Sequence, residues 1–280
     1  MFPLSHQCDY HLHSTASDGA LPPAAVMHLA AEQGIRELAL TDHDTFAGLS
    51  EARLAAQELN LTLIEGMEFS CNWQGMTIHL VALWPQGVTA SAQELAAVQE
   101  QNRWQRAKRI LEKLARAGIP LTLDEIVEKA GGRVPGRPHF AQVLVEQGHV
   151  KNHGQAFRKF LGAGKIGDVK SHWLEMDAAL EDLLATEAFC ILAHPLRYKL
   201  TRSKRVRLIK AFAAAGGQAM ELVSGRQDVA QTASLLKLAE ELGLKLSWGS
   251  DFHAPGPACP APGNFAALPA ACRPLSQLLA

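Results

Sequence analysis

Two histidines near the start of the chain, His11 and His13, are separated by a single leucine. Residues 7–13 have the pattern of a β-strand, in which alternate side chains project from the same face. Both imidazoles would then face the same way and could bind one metal ion. A strand that carries two histidines without a metal fits this pair as well, so the interpretation depends on further ligands.

Further candidate ligands occur at or near the ends of other apolar segments. His43 follows the segment 36–41, and Glu68 lies at the end of the segment 61–69. His79 lies within the next predicted strand. The carboxyl ends of strands are where barrels and open α/β sheets gather their active sites, and a chance scatter of histidines would not follow them.

The last third of the chain repeats this pattern. His194 closes the apolar segment 188–193, and Asp251 and His253 follow the segment 245–250. Together with Asp18, nine residues are candidate metal ligands: His11, His13, Asp18, His43, Glu68, His79, His194, Asp251 and His253. Imidazoles and carboxylates without a cysteine suit Mn²⁺, Fe²⁺ or Zn²⁺, with Mn²⁺ preferred for this donor set. Nine ligands exceed what one ion uses, so two or three adjacent ions are expected, with Glu68 as the bridge.

Hydrophobic periodicity indicates how these residues are positioned. Predicted strands alternate with predicted helices, except that two strands follow each other directly. The predicted strands span 7–13, 36–41, 61–69, 76–84, 188–193, 218–223 and 245–250. The predicted helices between them span 22–33, 45–59, 201–215 and 228–242. Such repeats favour an α/β barrel or a doubly wound sheet.

Residues 89–170 differ, because they carry helical patterns and almost no strand signal. Helices are predicted over 91–117, 124–130, 138–147 and 154–161. We therefore expect a discontinuous barrel formed by residues 1–88 and 171–280, with residues 89–170 as an inserted helical cap.

Composition excludes several classes of protein. The chain has 280 residues, 48% of them hydrophobic, with 27 Lys and Arg against 28 Asp and Glu. This near-neutral balance gives no overall attraction to nucleic acid or to a membrane surface. No apolar stretch approaches the roughly 18 residues of a spanning helix, so a cytoplasmic protein is expected. The sequence indicates no obligate protein partner.

Four motifs together resemble the PHP (polymerase and histidinol phosphatase) superfamily of metal-dependent phosphoesterases. They are Asp9-x-His11-x-His13-Ser14, Thr41-Asp42-His43, Ala193-His194-Pro195 and Ser250-Asp251-x-His253. The resemblance covers residues 8–84 and 188–253. It implies an α/β fold, a distorted (β/α)₇ barrel, with a trinuclear metal centre at the carboxyl ends of the strands.

The resemblance also implies how the ligands divide among the ions. One ion would be bound by His11, His13, Glu68 and Asp251. A second would be bound by Glu68, His79 and His194. A third would use Asp18, His43 and His253, and some members of the family have histidine where this chain has Asp18.

A segment of the predicted cap narrows the resemblance to one branch of the superfamily. The segment Gly136-Arg137-Pro138-His139-Phe140 is similar to the free-standing branch that includes 3′,5′-nucleoside bisphosphate phosphatases and short-RNA 5′ exonucleases. Arginines in such a loop suit phosphate, because the guanidinium offers a planar fork of donors. The substrate contacts expected from this segment, from the basic segment 102–106 and from the metal centre are Asp18, His43, Arg103, Arg106, Arg137 and His139.

The expected reaction is hydrolysis of a phosphate monoester by a metal-bound hydroxide. The 3′-phosphate of a nucleoside 3′,5′-bisphosphate would be removed to leave the nucleoside 5′-monophosphate. His194 or a metal-bound water would supply a proton to the leaving group. The alternatives are 5′-to-3′ trimming of short oligonucleotides, histidinol phosphate hydrolysis and, outside enzymes, a metal-dependent module that only binds phosphate. A DNA polymerase is excluded, because the chain has no room for a polymerase body.

Overall fold

A single sheet of seven strands organises the protein, and a computed structural model describes residues 7–170, 172–256 and 259–278. The strands follow one another in chain order across the sheet. They are β1 (Cys8–Asp9), β2 (Glu37–Leu40), β3 (Thr62–Trp73), β4 (Met76–Trp84), β5 (Phe189–Leu192), β6 (Ala219–Ser224) and β7 (Lys245–Gly249). The two edges approach each other, since the Tyr10 amide donates to the Trp248 carbonyl at 3.1 Å and Leu12 pairs with Phe252. The sheet is therefore a nearly closed barrel, and the predicted α/β barrel is confirmed.

Strand β4 distorts the regular pattern, because it runs antiparallel to both β3 and β5 while the other neighbours are parallel. It is joined to β3 by a two-residue hairpin in which Gln74 and Gly75 have φ values of +48° and +73°. Such turns favour glycine, which tolerates positive φ. The reversal brings the first half of β4, including His79, to the edge where the parallel strands end.

Helices surround the barrel. Helices α1 (Pro23–Glu32) and α2 (Leu49–Glu58) follow β1 and β2. The next four helices, all after β4, are α3 (Ala90–Arg116), α4 (Leu123–Lys129), α5 (Arg137–Glu146) and α6 (His153–Ala156). Then come α7 (Met176–Ala185), α8 (Arg202–Ala214), α9 (Val229–Leu242) and α10 (Leu275–Leu278). No helix in the described part of the chain is long and apolar enough to cross a membrane.

The helices α3 to α6 bury a hydrophobic cluster of their own. Ile110 and Leu114 of α3 pack with Phe140 and Leu144 of α5 and with Leu161. The barrel has separate clusters, one around Trp248 and the β3–β5 strands and one beneath α1 and α2. The division of the chain at residues 89 and 170 into barrel and cap stays a prediction.

Three details of the predicted elements are wrong. Of residues 7–13, only Cys8–Asp9 form a regular strand. Beyond them, the Leu12 amide donates to the Thr41 side chain, and Leu12 forms an isolated β-bridge with Phe252. The predicted helix 154–161 is the short α6 followed by a π-helical turn, Phe157–Leu161. Helix α7 was not predicted, although its buried residues repeat at helical spacing.

Candidate metal centre

The barrel brings all nine predicted ligands to one end. His11 and His13 follow β1, and Asp18 lies in the next loop. The remaining ligands come from later strands: His43 after β2, Glu68 in β3, His79 in β4, His194 after β5, and Asp251 and His253 after β7. The parallel bridge between His43 and Glu68 aligns two of these strands. The side chains therefore converge, although their role as ligands stays a prediction.

The backbone is shaped to aim these side chains. His194 and Asp251 have φ values of +29° and +54°, a left-handed conformation that non-glycine residues rarely adopt. Gly249 immediately precedes Ser250 and Asp251, and a Cβ there would lie 2.5 Å from the Cβ of His11. Only glycine lets β7 approach His11 this closely. The positive φ values of His194 and Asp251 are backbone strain of a kind that is typical of functional sites.

Four atoms form the tightest group of ligands. His11 Nε2 and His13 Nε2 are 3.0 Å apart, and each lies 3.1 Å from Glu68 Oε2. Asp251 Oδ1 is 3.5 Å and 3.3 Å from the same two nitrogens. Ligands at about 2.1 Å from a shared ion are roughly 3.0–3.4 Å apart. The group has the dimensions of one coordination shell.

Glu68 faces a second group with its other oxygen. Its Oε1 lies 2.8 Å from His79 Nδ1 and 2.7 Å from His194 Nε2. His43 Nδ1 is 3.2 Å from Oε2, so His43, Glu68 and His79 also form a compact ligand group. The two oxygens of Glu68 thus face two groups of candidate ligands.

Asp18 anchors a third group, formed with His13, His43 and His253. Its oxygens are 3.4 Å from His253 Nε2 and 3.8 Å from His43 Nε2. His13 Nδ1 is 3.9 Å away. These separations are wider than those of the first group.

Several buried atoms in the cluster have no hydrogen-bond partner. Among the described residues they include His13 Nδ1, His43 Nδ1, His79 Nδ1 and Asp251 Oδ1. Unpaired buried polar atoms are costly, and here they lie beside other ligand atoms without the alignment of a hydrogen bond. Divalent ions would satisfy them, and the mixture of imidazole and carboxylate suits Mn²⁺, Fe²⁺ or Zn²⁺. The residues therefore fit a divalent metal centre.

The charges of the cluster are mutually stabilising. Burial lowers the pKa of His11, but the carboxylates of Glu221 and Glu68 raise it well above its ordinary value. Burial also disfavours ionised Glu68, yet the surrounding imidazoles hold its pKa well below the usual range. For His43, burial dominates and lowers the pKa to about 3. His43 is therefore a neutral imidazole, the form that binds metals.

Two contacts at the site were missed by sequence reasoning, one of them fully buried. Glu221 of β6 accepts from His11 Nδ1 at 2.6 Å and from the His194 amide at 2.6 Å. Arg197 pairs with Asp251 Oδ2. A glutamate within the apolar strand 218–223 is an unusual residue, and this signal could have revealed Glu221. The sequence around Arg197 carries no comparable signal.

A cavity of about 180 Å³ opens onto the metal centre, and we name it the first cavity. Its wall includes Asp18, His43, Arg103, Arg106 and Arg137. Five of the six predicted substrate contacts thus line one space. The sixth, His139, is not among its lining residues and accepts a hydrogen bond from the Gly136 amide at 2.9 Å.

The three arginines of the first cavity differ in their surroundings. Arg103 donates to Asp44 Oδ2 at 2.7 Å. Arg106 lies over the Trp173 ring, and burial together with Arg137 and Arg103 lowers its pKa to about 9. Arg137 lies over the Phe157 ring and donates to the Leu161 carbonyl at 3.2 Å. Arg103 has a carboxylate at hydrogen-bond distance, whereas Asp168 lies 3.9 Å from Arg137 and is also paired with Lys170 at 3.0 Å. The arginines of the cavity therefore favour an anion.

A nearly closed seven-strand barrel with clustered histidines and carboxylates at one end is the arrangement expected of a PHP metal-dependent phosphoesterase. Residues 9–117 match the PHP domain family. The chain is 43% identical over 252 residues to a 5′-3′ exoribonuclease of Haemophilus influenzae, covering 90% of this chain and 92% of that protein. It is 37% identical over 271 residues to a 3′,5′-nucleoside bisphosphate phosphatase of Chromobacterium violaceum, covering 95% and 94%. The chain belongs to the PHP family.

Solved structures agree with this placement. An amidohydrolase from Chromobacterium violaceum, solved with bound sulfate and no metal, superposes with a TM-score of 0.84 at 36% identity, covering 98% of this chain and 95% of that one. A protein from Bifidobacterium adolescentis described as a metal-dependent phosphoesterase gives a TM-score of 0.75 at 25% identity, covering 88% and 87%. The fold is thus shared with both of these solved structures.

Proposed function

We propose that the protein hydrolyses the 3′-phosphate of nucleoside 3′,5′-bisphosphates and releases nucleoside 5′-monophosphates. The observation that carries this proposal is the first cavity, in which Arg106 and Arg137 lie beside Asp18 and His43 of the metal centre. A substrate with two phosphates suits this arrangement, because one can lie at the metal centre while the other pairs with the arginines. The similarity to a bisphosphate phosphatase supports the same substrate.

The metal centre would hold two or three ions, with Mn²⁺ preferred, through the three groups around Glu68, Asp18 and Asp251. When bound, such ions lower the pKa of water and withdraw charge from phosphate oxygens. The chain itself would position the substrate, with Arg106 and Arg137 binding the 5′-phosphate. The aromatic rings beneath both guanidiniums hold them in place. This positioning sets the 3′-phosphate for in-line attack.

The leaving O3′ of the substrate must gain a proton. We keep His194 as the candidate donor among the side chains. Its Nδ1 has no hydrogen-bond partner within the described residues, while its Nε2 faces Glu68.

A second candidate function is 5′-to-3′ exonuclease activity on short oligonucleotides. The 43% identity to an exoribonuclease favours it. Both activities use a 5′-phosphate as the recognition element and attack the same ester of the first nucleotide. They differ only in whether a further nucleoside is attached to the phosphate.

Product release from three substrates tests these proposals. Metal-stripped protein, with and without added Mn²⁺, is incubated with adenosine 3′,5′-bisphosphate, a 5′-phosphorylated dinucleotide and histidinol phosphate. We expect Mn²⁺-dependent phosphate release from the bisphosphate. Faster cleavage of the dinucleotide would make the exonuclease the main activity. Turnover of none of them would contradict both proposals and favour a module that only binds phosphate.

A further inference from the structure

A second cavity shares two lining residues, His43 and Arg103, with the first. Its volume is about 230 Å³, and its wall includes Trp104, Arg133 and Val134. Both cavities therefore border His43 of the metal centre. Nothing in the proposed hydrolysis of a bisphosphate occupies this second space, because that substrate ends at its 3′-phosphate.

The wall of the second cavity combines an aromatic ring with a fixed cation. Trp104 is half-buried on α3. Trp173 is covered by Arg106 and Trp84 packs against Phe46, whereas Trp104 has no such ring or cation partner among the described residues. The exposed Arg133 is held at the mouth by donating to the Thr15 carbonyl.

The charges of the second cavity favour a neutral body over a free phosphate. Asp44 also lines it and is paired with Arg103, while Glu100 stands exposed at the rim. A free phosphate would meet these carboxylates. An uncharged base and sugar would not be repelled by them. The aromatic face of Trp104 can stack on any base, and Arg133 adds a cation at its edge.

We propose that the second cavity binds the nucleoside downstream of the attacked phosphate in a 5′-phosphorylated oligonucleotide, with its base stacked on Trp104. This inference rests on the proposed function, since it requires the first nucleotide in the first cavity. Water adds its oxygen to phosphorus, the P–O3′ bond breaks, and O3′ takes the proton. The phosphate leaves as the 5′-phosphate of the downstream nucleoside. Each cycle thus produces a new 5′-phosphorylated end for the next.

The ratio of two specificity constants tests the inference. The kcat/KM for a 5′-phosphorylated dinucleotide is divided by that for adenosine 3′,5′-bisphosphate, which has no downstream nucleoside. We expect Trp104→Ala to lower this ratio about tenfold or more, as loss of one stacked base predicts. Trp104→Phe should restore most of it, because the aromatic face returns. Gln105→Ala, an exposed neighbour on α3, is the matched control and should leave the ratio unchanged.

Direct binding provides an independent measurement. A dinucleotide with a phosphorothioate linkage should quench tryptophan fluorescence in the wild-type protein, and the quenching should decrease in Trp104→Phe. An unchanged ratio in Trp104→Ala, or equal quenching in both proteins, would overturn the inference. Wild-type protein that cleaves the bisphosphate but neither cleaves nor binds the dinucleotide would overturn it too. If neither substrate is turned over, the proposed function fails, and the fluorescence titration alone decides whether Trp104 contacts a base.

Discussion

Glu221 and His11 form a buried pair in which Nδ1 of the imidazole lies 2.6 Å from the carboxylate. Both side chains are almost fully buried. This contact leaves Nε2 of His11 directed at Glu68 and Asp251. A carboxylate on the far nitrogen fixes the tautomer and orientation of a metal-binding histidine and raises its basicity. Glu221 is therefore a positioning residue for the metal centre.

Glu221→Gln should weaken metal binding. Glutamine retains one acceptor but presents an amide N–H₂ to either His11 or the His194 amide, both of which need an acceptor. We expect a 10- to 100-fold loss of affinity for Mn²⁺, measured by titration of the metal-free protein. Glu65→Gln, on the same barrel but paired with Arg53, is the control. Equal affinities of the two variants would contradict the role of Glu221.

Asp18 and Glu68 should differ in how many ions they hold. Asp18 contributes to one ligand group, whereas the two oxygens of Glu68 face two. We expect Asp18→Ala to lose about one bound ion and at least 100-fold in turnover, and Glu68→Gln to lose more than one ion. Metal analysis after dialysis measures this, with Asp124→Ala on the surface of α4 as the control. Full activity of Asp18→Ala would remove the third ion from the reaction.

The cluster could be predicted because its residues lie at strand ends, where sequence order becomes spatial proximity. His43, His194 and Asp251 each follow an apolar segment, so a barrel must bring them together. Their assignment to individual ions could not be predicted in the same way. His43, for example, lies 3.2 Å from Glu68 through Nδ1 and 3.8 Å from Asp18 through Nε2, so its assignment depends on the rotation of one ring.

The contacts that hold the site in place were harder to predict. Arg197 reaches Asp251 across the barrel mouth, 54 residues further along the chain. Strand β1 was predicted too long because the pattern of side chains along a strand does not reveal its hydrogen-bond partners. Beyond Asp9 the chain bonds to the Thr41 side chain and the end of β7 instead. Such contacts depend on closure of the barrel.

The metal-free protein should lose stability as pH rises. Burial lowers the pKa of His253, but Asp18 and Asp251 raise it to about 10 from an ordinary value of 6.5. A raised pKa stabilises the folded state fully below pH 6.5, and this contribution is lost as pH approaches 10. The Tm of metal-free protein should therefore fall across this range. His253→Gln should flatten the slope, while His28→Gln on the exposed face of α1 should not. Identical slopes would exclude His253 as the cause.

Arg137 should determine the preference for a 5′-phosphate. It lines the first cavity without a close carboxylate, since Asp168 is 3.9 Å from its guanidinium. Because a charged hydrogen bond contributes about 1.5–3 kcal/mol, Arg137→Gln should lower kcat/KM for adenosine 3′,5′-bisphosphate about 10- to 100-fold. Adenosine 3′-monophosphate lacks the 5′-phosphate, so its slower hydrolysis should change little.

Two further variants separate the charge of Arg137 from its geometry. Arg137→Lys keeps the charge but loses the planar fork that rests on Phe157, so an intermediate loss is expected. Arg109→Gln removes a cation that pairs with Glu112 on the surface of α3, and it should leave both substrates unaffected. If Arg137→Gln lowered kcat/KM equally for both substrates, the role of Arg137 would be to support the start of α5 and not to bind the 5′-phosphate. The specificity would then have to come from Arg106, whose guanidinium is already held between Trp173 and the Val169 carbonyl.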